Sequence, residues 1–271
     1  MKRPENPLAL GIEIGGTKLQ VGIGSSNGKL MHRGIVRKQV VGEHGAAGIR
    51  RALLLMVEEI LESKHLGLSD INKIGIGFGG ILDTNQGVVL KSFHIDGWDN
   101  FPLKEWAEKQ WRKPVFIQND ASTAGLAESR RGSGRGYTRL FYMTLGSGVG
   151  GGWILHGKID DGQGFGVAEI GHTWVPDPDS GMPTELEQIC SGWSIGRRAR
   201  LAASNKKTLM TRIAGTLERI DAKVVYLAAE KEDQVANLIL SETCQVLGLA
   251  IGNVIALLHP ERVILGGGVS L

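Results

Sequence analysis

The chain has 271 residues, 42% of them hydrophobic, and a formal charge of +3. That length fits two domains or one large one, and that apolar share is enough for a packed core. The small charge, with no long basic block, argues against nucleic acid as a partner, and forty glycines in clusters rather than at a fixed period exclude collagen-like and low-complexity chains.

Leu8 to Ile14 alternates, with Leu8, Leu10, Ile12 and Ile14 on one side, and reads as a strand. Gly15-Gly16 turns the chain into a second strand, Leu19 to Ile23. Ser25-Ser26-Asn27-Gly28 turns it again into a third, Leu30 to Val36, so the chain opens with a three-stranded antiparallel meander. Gly45 to Lys64 is an amphipathic helix carrying Ile49, Leu53, Val57, Ile60 and Leu61 at helical spacing. Lys73 to Gly77 is a buried strand, Leu103 to Arg112 a helix and Val115 to Gln118 another buried strand. Ala121 to Arg131 is a helix beginning directly after Asp120.

After the break at Gly132 to Gly136 the opening pattern recurs. Leu140 to Leu145 is a strand, Gly146 to Gly152 a glycine-rich turn and Trp153 to His156 a strand. Ser191 to His259 is mainly helical and ends in the long helix Gln234 to Leu258. Val263 to Leu265 is a last strand before Gly266-Gly267-Gly268. Two halves that each begin strand, glycine turn, strand predict two related α/β domains with a cleft between them, 1–121 and 122–271. Arg130, Arg131, Arg135 and Arg139 read as a solvated loop or a contact for an anionic ligand. Cys190 and Cys244 lack metal-ligand spacing and read as reduced thiols packed as small apolar groups. A reducing, cytoplasmic setting is the expectation. No stretch reaches the ~18 apolar residues of a membrane span, and no signal-peptide core is present.

Gly75-x-Gly77-x-x-Gly80 and Gly146-x-Gly148-x-x-Gly151 match the dinucleotide fingerprint by letters. Neither opens a helix, so NAD binding is rejected. Gly15-Gly16-Thr17-Lys18 lacks the order of a P-loop. What remains is strand, glycine turn, strand, twice. Such turns are either ordinary hairpins or small nests whose N–H groups hold phosphate oxygens, with Thr17, Lys18 and Ser147 as further donors. Glu13 is either solvent-facing or a carboxylate that holds a hydrated Mg²⁺ against the phosphates. Asp120 follows a buried strand and opens a helix. It is either a helix cap or a base that takes the proton of a sugar hydroxyl attacking a γ-phosphate, with Asn119 helping to hold the sugar. Glu169, His172 and Glu187 complete a polar set able to bind vicinal hydroxyls, although His172 alone would read as a structural or exposed histidine.

Together these segments resemble the ROK family, which groups bacterial sugar kinases with related repressors. Gly11-Ile-Glu-Ile-Gly-Gly-Thr-Lys18 is similar to the family's first phosphate loop, and Gly75-Ile-Gly-Phe-Gly-Gly-Ile-Leu-Asp83 to its loop near the sugar. Asn119-Asp120-Ala121 with Leu126-Ala127-Glu128 is similar to the segment bearing the catalytic aspartate. Leu145-Gly-Ser-Gly-Val-Gly-Gly-Gly152 is similar to the second phosphate loop. Glu169-Ile-Gly-His172, Leu186-Glu187 and Ser191-Gly192 resemble the sugar-binding signature, and Leu265-Gly-Gly-Gly-Val-Ser270 the segment near the adenosine.

The resemblance implies a two-domain actin-like ATPase fold (ribonuclease H-like, hexokinase-like) with an inter-domain cleft. It also implies ATP with Mg²⁺ and phosphorylation of a hexose, glucose first, commonly at O6. Asp120 is then the base, and Gly80, Asn119, Asp120, Glu169, His172 and Glu187 are the sugar ligands. Gly15, Gly16, Thr17, Lys18, Gly146, Ser147, Gly148 and Gly266 to Gly268 meet the nucleotide, and a homodimer is the expected assembly. The alternatives are a sugar-sensing regulator of the same family, for which no helix-turn-helix precedes Leu8, and a non-catalytic sugar-binding protein.

Three departures stand out. The family's Cys-x-Cys-Gly-x-x-Gly-Cys zinc motif belongs between His172 and Glu187, where this chain has no cysteine. No zinc is expected, and the group that normally fixes the His172 ring is missing. Glu13 stands where Asp is usual. The chain stops at Leu271, where members continue through at least one more helix. This is either a shortened form or a missing helix that leaves apolar surface exposed.

Overall fold

The computed structural model describes residues 7–25, 27–40, 45–92 and 95–270; Ser26 of the expected second turn, and Leu271, lie outside them. β1 (Leu8–Ile14) buries Leu8, Leu10, Ile12 and Ile14 and exposes Gly11, as its alternation requires. It pairs antiparallel with β2 (Lys18–Ser25), which pairs antiparallel with β3 (Leu30–Gln39). α1 (Gly45–Ser63) turns Ile49, Leu53, Met56, Val57 and Ile60 inward and packs against β2 and β3. β4 (Ile71–Phe78) adds to the sheet parallel to β1. A small hairpin follows, β5 (Ile81–Asp83) and β6 (Val88–Lys91). α2 (Leu103–Trp111) leads into β7 (Val115–Asn119), parallel to β4, and α3 (Asp120–Arg131) follows at once. The five-stranded order is β3-β2-β1-β4-β7.

β8 (Arg139–Leu145), β9 (Val149–Leu155) and β10 (Lys158–Ile159) form the second meander. β11 (Trp174–Pro176) and β12 (Pro183–Glu185) make a separate hairpin. Then come the short α4 (Glu187–Cys190), α5 (Gly192–Asn205), α6 (Leu209–Ala214), α7 (Ala222–Ala229) and α8 (Gln234–Leu258). β13 (Arg262–Gly266) returns parallel to β8, giving the order β10-β9-β8-β13. This repeats β3-β2-β1-β4, so both halves use the same meander plus a parallel strand.

The chain divides into two compact units, Met1–Ala127 with Asp160–Val167, and Glu128–Ile159 with Ala168–Leu271. The expected division at 121/122 used two continuous segments. It does not provide for 160–167, which return to the first unit: Asp161 there accepts from Thr84 Oγ1 at 2.9 Å and Gln118 Nε2 at 3.2 Å.

Four expectations need correction. β9 begins at Val149, not Trp153, so Gly150 to Gly152 are strand rather than turn. A Cβ on Gly151 would lie 2.1 Å from the Ala168 carbonyl oxygen, so this glycine permits close packing. α3 begins at Asp120 itself. Cys190 is buried, its thiol pushed up to about 12 chiefly by desolvation, but Cys244 is exposed rather than packed in the core. Finally, α8 is long and apolar enough to cross a membrane by length and composition. Its Ala236, Ile239, Thr243, Val246, Ala250 and Val254 are buried where it packs on α4, α5 and α7, while Leu238, Leu249, Ile255 and Leu257 stay exposed.

Candidate active site

In the first unit, β1, β4 and β7 run parallel with their C-terminal ends level. Glu13 pairs with Gly77, and Gly77 with Gln118. That edge is where open α/β sheets bind ligands. Asn119 ends β7 and caps α3, its Oδ1 accepting from Ser122 N at 3.0 Å. The cap read at Asp120 from the sequence is therefore made by Asn119. Asp120, half-buried, accepts from Ala121 N at 2.7 Å through Oδ1. Its space is provided by glycines: a Cβ on Gly79 would lie 3.1 Å from Asp120 Oδ2, and one on Gly77 3.6 Å from the Asp120 Cα. Gly79 N also donates to Ile14 O at 2.9 Å, tying this loop to the end of β1. Gly80 admits no side chain, since a Cβ would meet Lys91 O at 2.6 Å and the Phe78 ring at 2.8 Å.

The first glycine turn closes through Gly15 N donating to Lys18 O at 3.1 Å. Gly15's N–H is thus used by the turn itself. Glu13 is half-buried, with Lys18 Nζ 3.8 Å from Oε1 and Gln20 Nε2 donating to Oε2. Gln20, which sequence reasoning missed, in turn accepts from Arg37 Nε. It was legible only as the residue opposite Glu13 across the hairpin.

The second unit gathers the remaining candidates around the β8–β9 turn. Gly146 N closes it on Gly148 O at 2.9 Å, and Gly146 O accepts from Gly192 N at 2.8 Å, so the turn sits at the start of α5. Ser191 caps that helix, accepting from Ser194 N. Glu187 opens α4, and its Oε2 accepts from Val149 N at 2.8 Å. A Cβ on Gly148 would lie 2.4 Å from that same oxygen, so the glycine makes room for the carboxylate. Gly266 ends β13 beside the end of β8, and Gly267 and Gly268 follow; Gly267 has φ +95 and stands where a Cβ would strike the Leu145 backbone at 2.4 Å. Val269 N donates to Leu145 O at 2.9 Å. Glu169 precedes a single 3₁₀ turn, Ile170–His172, that packs on β9: a Cβ on Gly171 would lie 2.1 Å from Val149 O. His172 Nδ1 lies 3.3 Å from Glu185 Oε2, a partner that sequence reasoning also missed.

The stretch from Thr173 to Leu186 does not fit a zinc ion. It offers no thiolate, and among the described residues no three His, Cys, Asp or Glu side chains form a metal-binding group. Hydrogen bonds hold it instead. Asp177 Oδ1 accepts from Asp179 N, Ser180 N and Ser180 Oγ, and these bonds hold its carboxyl below the usual aspartate value. β11 and β12 then pair Trp174 with Glu185.

A meander plus parallel strand built twice, with glycine-bearing ends at the strand C-termini, defines the class of two-domain actin-like ATPases. The structure of a ROK family glucokinase from Streptomyces griseus in complex with glucose and AMPPNP superposes with a TM-score of 0.82 at 31% identity, covering 97% of this chain and 84% of that one. The chain belongs to the ROK family, whose model matches residues 9–271. It is 32% identical over 266 residues to a glucokinase of Thermotoga maritima, covering 96% of this chain and 82% of that protein. It is also 26% identical to a putative xylose repressor of a Caldicellulosiruptor species, over 82% of this chain but 56% of the repressor.

Proposed function

We propose that this chain transfers the γ-phosphoryl group of ATP to a hexose hydroxyl, making glucose 6-phosphate from glucose, with Asp120 as the base. The broader statement, an ATP-dependent sugar kinase, follows from membership of the ROK family together with glucokinase relatives above 30% identity. The observation that supports the finer reading is Asp120 itself. It is a half-buried carboxylate at the C-terminal end of β7, in space that Gly77 and Gly79 leave open.

Asp120 takes the proton of the attacking hydroxyl as its oxygen bonds to the γ-phosphorus, the bond to the β–γ bridging oxygen breaks, and ADP leaves with that oxygen's electron pair. Gly16 to Lys18 in one turn, and Ser147 and Gly148 in the other, present N–H groups and side-chain donors to the phosphates. Gly266 to Gly268 meet the nucleoside. The Asn119 amide, Glu169, His172, Glu187 and the backbone at Gly80 hold the sugar hydroxyls, placing one of them for in-line attack. The single carboxylate of Glu13, beside Lys18 at the first turn, fits a magnesium ion reached through water. When bound, that ion neutralises polyphosphate charge.

A coupled ADP-release assay over a panel of hexoses, run beside Asp120→Ala, tests this. The wild type should release ADP only with sugar, fastest with glucose. The variant should lose about 10²–10⁴-fold in kcat while its circular dichroism and melting stay close to wild type. Near-normal turnover in Asp120→Ala would remove the base. Sugar binding by calorimetry without ADP release would favour a binding protein, and retarded DNA fragments in a gel shift would favour a regulator.

A further inference from the structure

The stretch after His172 lacks the donor set of a zinc site, yet the His172 ring has a partner. Glu185 Oε2 lies 3.3 Å from Nδ1, at the long end of hydrogen-bonding distance. Both side chains are a little over a third exposed. The backbone makes this meeting specific. β12 pairs Glu185 with Trp174, and Leu186 N donates to Thr173 O at 2.9 Å, so Glu185 is carried back alongside the residues that follow His172. Leu186 is wholly buried and anchors the end of β12, and the Asp177 turn closes the far end of the hairpin. Two residues on, Glu187 is tied to Val149 N.

We infer that Glu185 is a positioning residue that does for His172 what a metal would otherwise do: it holds the ring and selects its tautomer. This rests on the reading of His172 as a sugar ligand. An ionised carboxylate only accepts, so in the neutral ring Nδ1 carries the hydrogen and Nε2 becomes the acceptor. A ring held in this way offers a lone pair to a sugar hydroxyl. Without Glu185 that selection is lost, and a hydrogen on Nε2 would turn the ring's outer edge from acceptor to donor. An outer partner that orients a histidine is a recurrent device around metals, and here the carboxylate would do the same work without one.

The test combines nitrogen-15 NMR of the imidazole with sugar kinetics on the full chain. In the wild type, long-range proton–nitrogen spectra should show His172 with its hydrogen on Nδ1. Glu185→Ala should shift it toward Nε2 and raise the KM for sugar about tenfold, the loss of roughly one hydrogen bond, with the KM for ATP unchanged. Glu185→Gln keeps a carbonyl acceptor and should restore most of both signals. In a His172→Ala background the added Glu185→Ala should change the sugar KM no further. An unshifted His172 spectrum in Glu185→Ala, or a KM effect that persists in full without His172, overturns the inference. If the spectrum shifts but His172→Ala leaves the sugar KM alone, the sugar-ligand reading fails and takes the functional half of the inference with it, while the pairing stands.

Discussion

At the residue scale, two glycines with similar crowding should fail differently. A Cβ on Gly148 meets the mobile end of Glu187, 2.4 Å away, whereas a Cβ on Gly267 meets the Leu145 backbone at the same distance and at φ +95. A carboxylate can swing aside; a strand end cannot. Gly148→Ala should therefore fold nearly as well as wild type but lose its Glu187–Val149 tie, lowering kcat/KM for sugar about tenfold, the equivalent of one hydrogen bond. Gly267→Ala should cost about 1–3 kcal/mol of stability. Denaturant melts beside steady-state kinetics separate the two, and equal stability losses would show that Glu187 is as rigidly held as the backbone.

At the element scale, Asp233 joins two helices. Its Oδ1 caps α8 by accepting from Ala236 N at 2.9 Å, while Oδ2 accepts from Thr208 Oγ1 at 2.9 Å and Leu209 N at 2.7 Å at the start of α6. Burial pushes its carboxyl upward, but the N–H donors of Leu209 and Ala236 and the Thr208 hydroxyl outweigh that and hold it below the ordinary value. A depressed carboxyl stabilises the fold above its unfolded pKa and loses that contribution as pH falls through the folded one. Asp233→Ala should cost about 1–3 kcal/mol at pH 7. The two melting curves should approach each other below about pH 4, and a gap that stays constant to pH 3 would contradict the assignment.

The same scale shows what the sequence made legible. The opening meander, α1, α2 and α8 were readable because long periodic stretches bury one face. β11 and β12 were not, because each is three residues long and carries a proline, which signals edge or turn rather than strand. Glu185 was hidden with them: nothing in its neighbourhood marks it until the hairpin folds it against His172. Gly150 to Gly152 misled in the opposite sense. Glycine reads as punctuation, but here it serves close approach between β9 and the chain near Ala168. Asp120 stood out at the junction of strand and helix and Glu187 through its resemblance to the family's sugar-binding signature, whereas the helix cap at Asn119 and the Val149 tie at Glu187 needed coordinates.

At the scale of the whole molecule, the repeated sheet order gives each unit the same frame with different fillings. The first unit adds β7 and α3 beyond the shared strands, which is how it alone carries Asp120. The second adds a helical layer in which Ile195, Ala199, Met210, Ile220, Val225, Ala228, Ala236 and Ile239 form a separate core. The candidate residues are accordingly divided: Asp120 and the first glycine turn lie in one unit, the second glycine turn, Glu169 and Glu187 in the other.

The return of Asp160–Val167 to the first unit has a consequence for synthesis. A growing chain releases β1 to α3 long before it releases Asp161, so Thr84 and Gln118 must wait for their shared acceptor while more than thirty further residues are added. At ~5–20 residues per second, that wait is on the order of seconds. Ribosome-arrested chains long enough to expose Ala127 but not Asp160 should be cut by protease around Thr84 to Gly87, and chains long enough to expose Val167 should resist. The amino-terminal half, although first to be made, would then be completed only by a later portion of the message.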